Sequence, residues 1–164
     1  MMPEFVTIGV YGFDEAGFFS TLQAADVDTF CDIRLRRGLR GSTYAFANSK
    51  RLQARLAELD IRYLHCKELA PTKAVRDLQF AADKETKTAK RQRTTISPDF
   101  ADAFQAEILA KFDSRQFVTD LGGDAQIIAL FCVEREAAAC HRSLVAMRLE
   151  NDLGIQVRHI TPME

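Results

Sequence analysis

The sequence has no tryptophan, no C-x-x-C pair, no apolar run of membrane-spanning length and almost no net charge. Each absence removes a class of protein. A lipid span needs about 20 predominantly apolar residues, so no membrane partner is expected. Met1 to Val10 lack the basic start and apolar stretch of a signal peptide. The four cysteines, Cys31, Cys66, Cys132 and Cys140, are mostly embedded in apolar segments. They read as thiols of a reducing, cytoplasmic compartment rather than as a disulfide framework. A formal net charge of -1 creates no global field toward nucleic acid, so such binding would have to use local basic patches. Neither a P-loop nor a G-x-G-x-x-G fingerprint is present. The cysteine-phosphatase loop is disfavoured too, because the residues six positions after Cys132 and Cys140 are Ala138 and Ala146, where that mechanism needs arginine.

What is present is an alternation of short apolar strands with amphipathic helices. At 164 residues the chain suits one domain that buries about 70% of its unfolded surface. Ile127 to Val133 form a continuous apolar run, the pattern of a strand buried on both faces. Earlier strands are expected at Phe5–Val10, Val27–Ile33 and Ile61–Leu64, and a last one around Ile155–Ile160. Asp14 is placed to cap the first helix, Ser97-Pro98-Asp99 to start another, and Gly154 to end the last. The order is β-α-β-α-β, a helical insertion over residues 70–120, then β-α-β. That predicts an α/β fold: a mainly parallel sheet of about five strands with helices on both faces, in one domain over residues 1–164. Lys84 to Thr95, with Lys84, Lys87, Lys90, Arg91 and Arg93, read as a mobile, solvated basic loop acting as a lid.

Polar residues cluster where these strands end. Open α/β sheets bind ligands beyond the carboxyl ends of their strands. Asp32 and Arg34 follow the second strand, His65 the third and Glu134 the fourth. Cys140, His141, Arg142 and Ser143 then stand at a helix start, where free N–H groups favour anions. Cys140 is the candidate nucleophile, since a thiol at a helix start beside cationic groups loses its proton more readily. Glu134 or Asp32 is the candidate general base, or else orients an arginine. Arg34, His141, Arg142, Ser143 and His65 are the candidate ligand-binding residues. Cys132 reads as core. The Cys and His spacing matches no standard zinc module, so no metal is assigned.

Four blocks resemble one family in order along the chain: Thr7-Ile8-Gly9, Cys31-Asp32-Ile33-Arg34, Ile61-Arg62-Tyr63-Leu64-His65, and Cys132-Val133-Glu134 with Cys140-His141-Arg142-Ser143. They resemble the domain of unknown function 488 family over roughly residues 5–160. The C-x-E block followed by Cys-His-Arg is the most specific part. Val10-Tyr11 stand where that family usually carries a polar pair. The resemblance implies a cytoplasmic α/β domain and supplies no reaction.

Two functions are compatible with these residues. One is an enzyme acting on a small phosphorylated or nucleotide-like anion at the sheet edge. The other is a non-enzymatic nucleic-acid-binding module that uses basic loops 34–40 and 84–93 as phosphate contacts. Against the second stand the balanced charge and the lack of an aromatic-studded basic strand for stacking. The sequence specifies neither a cofactor nor an oligomeric state.

Overall fold

A computed structural model describes residues 2–162, apart from the side chain of Arg91, one of the charges in the predicted basic loop. Five strands, β1 (Glu4–Ile8), β2 (Thr29–Asp32), β3 (Arg62–His65), β4 (Ile127–Phe131) and β5 (Val157–Ile160), form one parallel sheet in the order β3-β2-β4-β1-β5. The apolar run becomes β4, the central strand, and Ile128 to Phe131 are fully buried. Its two neighbours cover both of its hydrogen-bonding edges, and helices cover both faces, so no polar side chain fits there.

Side-chain parity shows which helices cover which face. Phe30 and Phe131 contact Phe18 of helix α1 (Glu15–Ala24). Helix α2 (Ser49–Glu58) packs beside α1 through Arg55 on Phe19. On the opposite face Phe5 stacks on Phe117 of α5 (Ser114–Leu121). There too Thr7 meets Arg142 of α6 (Arg142–Leu153). Helices α3 (Lys73–Thr86) and α4 (Pro98–Glu107) pack on each other and complete the insertion.

The capping signals act as expected. Asp14 Oδ1 accepts from the Gly17 N–H at 2.6 Å, Ser97 Oγ accepts from the Phe100 N–H at 3.1 Å, and Gly154 closes α6 at a φ of 66°. Two boundaries differ from the periodicity. The stretch from Ala45 splits into a 3-10 turn (Ala45–Ala47) and α2, with Asn48 extended between them. The basic run is also less free than its charge suggests. α3 continues to Thr86, and the Arg93 side chain is buried against Asp83 and Glu134, a pairing that offsets its desolvation.

The strand order creates a switch point. The connection from β1 to β2 passes across β4, whereas that from β4 to β5 passes back across β1. Chains leaving these adjacent strands therefore diverge to opposite faces and open a crevice at their carboxyl ends.

Candidate functional site

β2 delivers a buried ion pair to this edge. Asp32 is fully buried and accepts from Arg34 Nε at 2.9 Å and Nη2 at 2.8 Å. It also accepts from the Tyr63 hydroxyl at 2.6 Å. Burial pushes the Tyr63 phenol up to about 12, so it stays a donor to that carboxylate. The Arg34 guanidinium lies 4.8 Å from the centre of the Phe131 ring, and His65 Nε2 donates to the Arg34 carbonyl at 2.8 Å. Arg34 Nη1 is buried and has no hydrogen-bond partner among the described residues. Such an atom costs stability unless a ligand or water meets it.

β4 and α6 deliver the rest. Arg142 is fully buried, with Nη1 donating to the Glu134 carbonyl at 2.7 Å, Nη2 to the Arg135 carbonyl at 3.2 Å and Nε to Thr7 Oγ1 at 3.3 Å. It pins the chain leaving β4. Gly9 lies so close to this joint that a Cβ there would overlap the Glu134 carbonyl oxygen. Ser143 Oγ donates to the Cys140 carbonyl at 2.8 Å and so shapes the entry to α6.

The thiols and imidazole form one buried cluster. His141 Nε2 lies 2.9 Å from the Ile33 carbonyl oxygen, which can only accept, so Nε2 carries a proton. Nδ1 is left facing Cys140 Sγ at 3.6 Å and Cys132 Sγ at 3.9 Å. The Arg142 N–H at the start of α6 points to Cys140 Sγ at 3.5 Å. The Cys140 interaction and burial push the Cys132 thiol up to about 12. Burial opposes charge on His141, but Cys132, the Ile33 carbonyl and Glu134 together raise its pKa. Burial also raises the Glu134 carboxyl, with Lys90 and Arg93 acting against it. Glu134 Oε1 accepts from Arg93 Nη1 at 3.1 Å, and Oε2 is buried with no hydrogen-bond partner among the described residues.

Over this edge lies a cavity of about 560 Å³. Arg34, Arg36, Arg40, Arg76, Lys90 and Arg93 line it, Glu134 is the one carboxylate on its wall among the described residues, and Cys132, Cys140 and His141 border it. Phe80, Ile96 and Phe100 from the insertion provide apolar walls. A family model, Domain of unknown function DUF488, matches residues 16–149. The chain belongs to this family. Neither the curated proteins nor the solved structures contain a match to it. The DUF488 match includes the whole C-x-E and Cys-His-Arg constellation and leaves Thr7 and Gly9 outside.

In this DUF488 domain Arg34, Glu134, Cys140 and His141 reach the cavity wall together. Asp32, His65, Arg142 and Ser143 do not line it. They sit behind it, bonded to the residues that do. Cys132 and Arg76 line the cavity although the sequence reading gave them no part in a site, and Lys90 and Arg93, read there as loop charges or as phosphate contacts of a nucleic-acid module, line it too. Cys132 arrives there because β4 ends at Phe131 and the chain bends at Val133, so that Cys132, Val133 and Glu134 all border the cavity. Nothing local signals Arg93, whose contact to Glu134 spans 41 residues. The sulfurs of Cys132 and Cys140 and a His141 ring nitrogen lie within 4.8 Å of one another, and among the described residues these three form the cluster able to hold a metal ion.

Proposed function

We propose that this domain is an enzyme acting on a small phosphorylated or nucleotide-like anion bound in the cavity over the carboxyl edge of the sheet. The observation carrying this is the wall itself. Among the described residues, six cationic side chains surround one carboxylate, and Arg34 Nη1 is buried without a hydrogen-bond partner. A guanidinium fork matches phosphate oxygens in geometry as well as charge. Both basic segments of the sequence supply this one concave space, Arg36 and Arg40 from the first and Lys90 and Arg93 from the second. That favours a compact anion over a nucleic-acid strand, which wants an extended track. Exposed Phe80, with Arg76 lying 5.4 Å from its ring centre, offers a flat surface for a base. Cys140, His141 and Glu134 are the groups nearest at hand for chemistry, and Asp32, Arg142, Ser143 and His65 position them. No described helix is long and apolar enough to cross a membrane, and four free thiols fit a cytoplasmic setting.

The test is calorimetry with pyrophosphate and nucleoside mono- and diphosphates, beside a substrate panel. Arg36→Ala and Arg40→Ala are the variants to use, because both residues are exposed and line the cavity. Each should weaken binding about tenfold, or about 1.4 kcal/mol, without altering the melting temperature. Equal affinity in both variants refutes the anion site. A salt titration with short oligonucleotides tests the alternative. Tight binding with a steep salt slope, and no binding of small phosphates, would favour the nucleic-acid module.

A further inference from the structure

We infer that Cys132, Cys140 and His141 form a binding site for a zinc-class divalent metal ion, with an open coordination position toward the cavity. This shares the cavity with the anion reading but rests on the thiol–imidazole geometry alone.

The first support is distance. Zinc holds thiolate at about 2.3 Å and imidazole nitrogen at about 2.0–2.1 Å; at the tetrahedral angle these lengths set sulfur and nitrogen about 3.6 Å apart. His141 Nδ1 lies 3.6 Å from Cys140 Sγ and 3.9 Å from Cys132 Sγ. The two sulfurs lie within 4.8 Å of each other, where two thiolates on one tetrahedral ion stand about 3.8 Å apart, so a side-chain shift of at most about 1 Å closes all three ligands on one ion. The second support is the orientation of the imidazole. Metal-binding histidines ordinarily donate their second ring N–H to a carbonyl or carboxylate, which fixes the ring and its tautomer. Here Nε2–H donates to the Ile33 carbonyl at 2.9 Å, leaving Nδ1 directed at the two thiols.

The third support is charge. Two thiols held together in a buried cluster have little solvent to stabilise their thiolates. A divalent cation reverses this by stabilising both thiolates. Binding then releases the two thiol protons to solvent, and M²⁺ with two thiolates and a neutral imidazole is electrically neutral. Such a group suits a buried site better than two free thiolates. Three protein ligands with a fourth position open is the pattern of catalytic rather than structural zinc. Glu134, whose Oε2 lacks a hydrogen-bond partner among the described residues, borders the same space. On this reading Cys140 acts as a ligand, and a metal-bound water or phosphate oxygen occupies the open position.

Cys31 and Cys66 provide an internal control. They are a second buried thiol pair in mutual contact, and they are not part of the thiol–imidazole cluster. Full-length protein stripped with chelator under reducing conditions is titrated with Zn²⁺ against a chromophoric chelator, and separately with Co²⁺, with no phosphate present. One ion per chain should bind, and the cobalt form should show thiolate-to-metal charge transfer with strong tetrahedral visible bands. Cys132→Ser and Cys140→Ser should each lower affinity by about 100-fold or more. A Cys31→Ala/Cys66→Ala double variant should leave spectrum and affinity unchanged. X-ray absorption on the wild-type zinc protein reads the ligand set without any variant, and should show two sulfurs and one imidazole. Sub-stoichiometric binding, a cobalt spectrum without thiolate charge transfer, or loss of the signal in the Cys31/Cys66 variant would each overturn the site. Because phosphate is absent throughout, failure here is distinct from failure of the anion reading.

Discussion

Gly9→Ala is a single-methyl test of how the edge of this sheet is built. A Cβ at Gly9 would overlap the Glu134 carbonyl oxygen, and would stand 2.7 Å from the carbonyl carbon and 3.2 Å from Arg142 Nη1. Ordinary contact begins at 3.4 Å, so the carbonyl must retreat by about 0.7 Å or more, in a region too well packed to yield freely. That same oxygen accepts the 2.7 Å hydrogen bond from Arg142 Nη1. Overpacking costs about 1–3 kcal/mol, and weakening a charged hydrogen bond costs about 1.5–3 kcal/mol when complete. The expected destabilisation is therefore about 3 kcal/mol, or roughly 6–12 °C in Tm for a domain of this size. Urea denaturation followed by circular dichroism measures it. Gly123→Ala is the control, because a Cβ there meets nothing within 4 Å. A Gly9→Ala variant within about 0.5 kcal/mol of wild type, the ordinary scatter of neutral substitutions, would refute the claim that β1 and the β4 exit form one rigid joint.

Two further outcomes follow from the same residues. Arg142→Met removes every donor serving the Glu134 and Arg135 carbonyls from that side chain; leaving two acceptors unmet should cost about 2–4 kcal/mol in urea denaturation, and a loss below about 1 kcal/mol would contradict its assigned place. Burial raises the Glu134 carboxyl above its usual range, so the folded state holds that proton more firmly than the unfolded chain. Its stabilising contribution is full at acid pH and is lost as pH rises through the folded value. Glu134→Gln should therefore gain stability relative to wild type as pH rises above the ordinary carboxylate range, and a pH-independent difference in melting temperature would exclude the raised carboxyl.

How far the sequence carried the structure depended on how local each signal was. β4 was legible because a seven-residue apolar run has few places to go except a strand covered on both faces. Asp14, Ser97 and Gly154 were legible because each acts on backbone within a few residues of itself. The strand order was not, since a β-α-β unit reads the same whether its strands are neighbours or lie across a third. Arg34, Glu134, Cys140 and His141 could be named because each follows closely on a strand or starts a helix. Arg93 looked like one more solvated charge, and only folding brings it to Asp83 and Glu134. Cys132 was assigned to the core by its apolar neighbours and is buried, but the bend at Val133 after β4, which no local signal marks, also brings it to the cavity.

Arg142 has a consequence beyond holding two carbonyls. It is fully buried, and among the described residues its bonds go to carbonyl dipoles and a hydroxyl, with no carboxylate among them. Dipoles solvate a charge without cancelling it, and in a weakly polarisable interior its field reaches farther than in water. The floor of the cavity is therefore electropositive before any ligand arrives, independently of where the exposed arginines at the rim happen to point. Salt in the solvent can screen that rim, but not the floor. If the cavity takes an anion, as proposed, that ligand meets a second, permanent attraction at the depth where Cys140 and His141 lie.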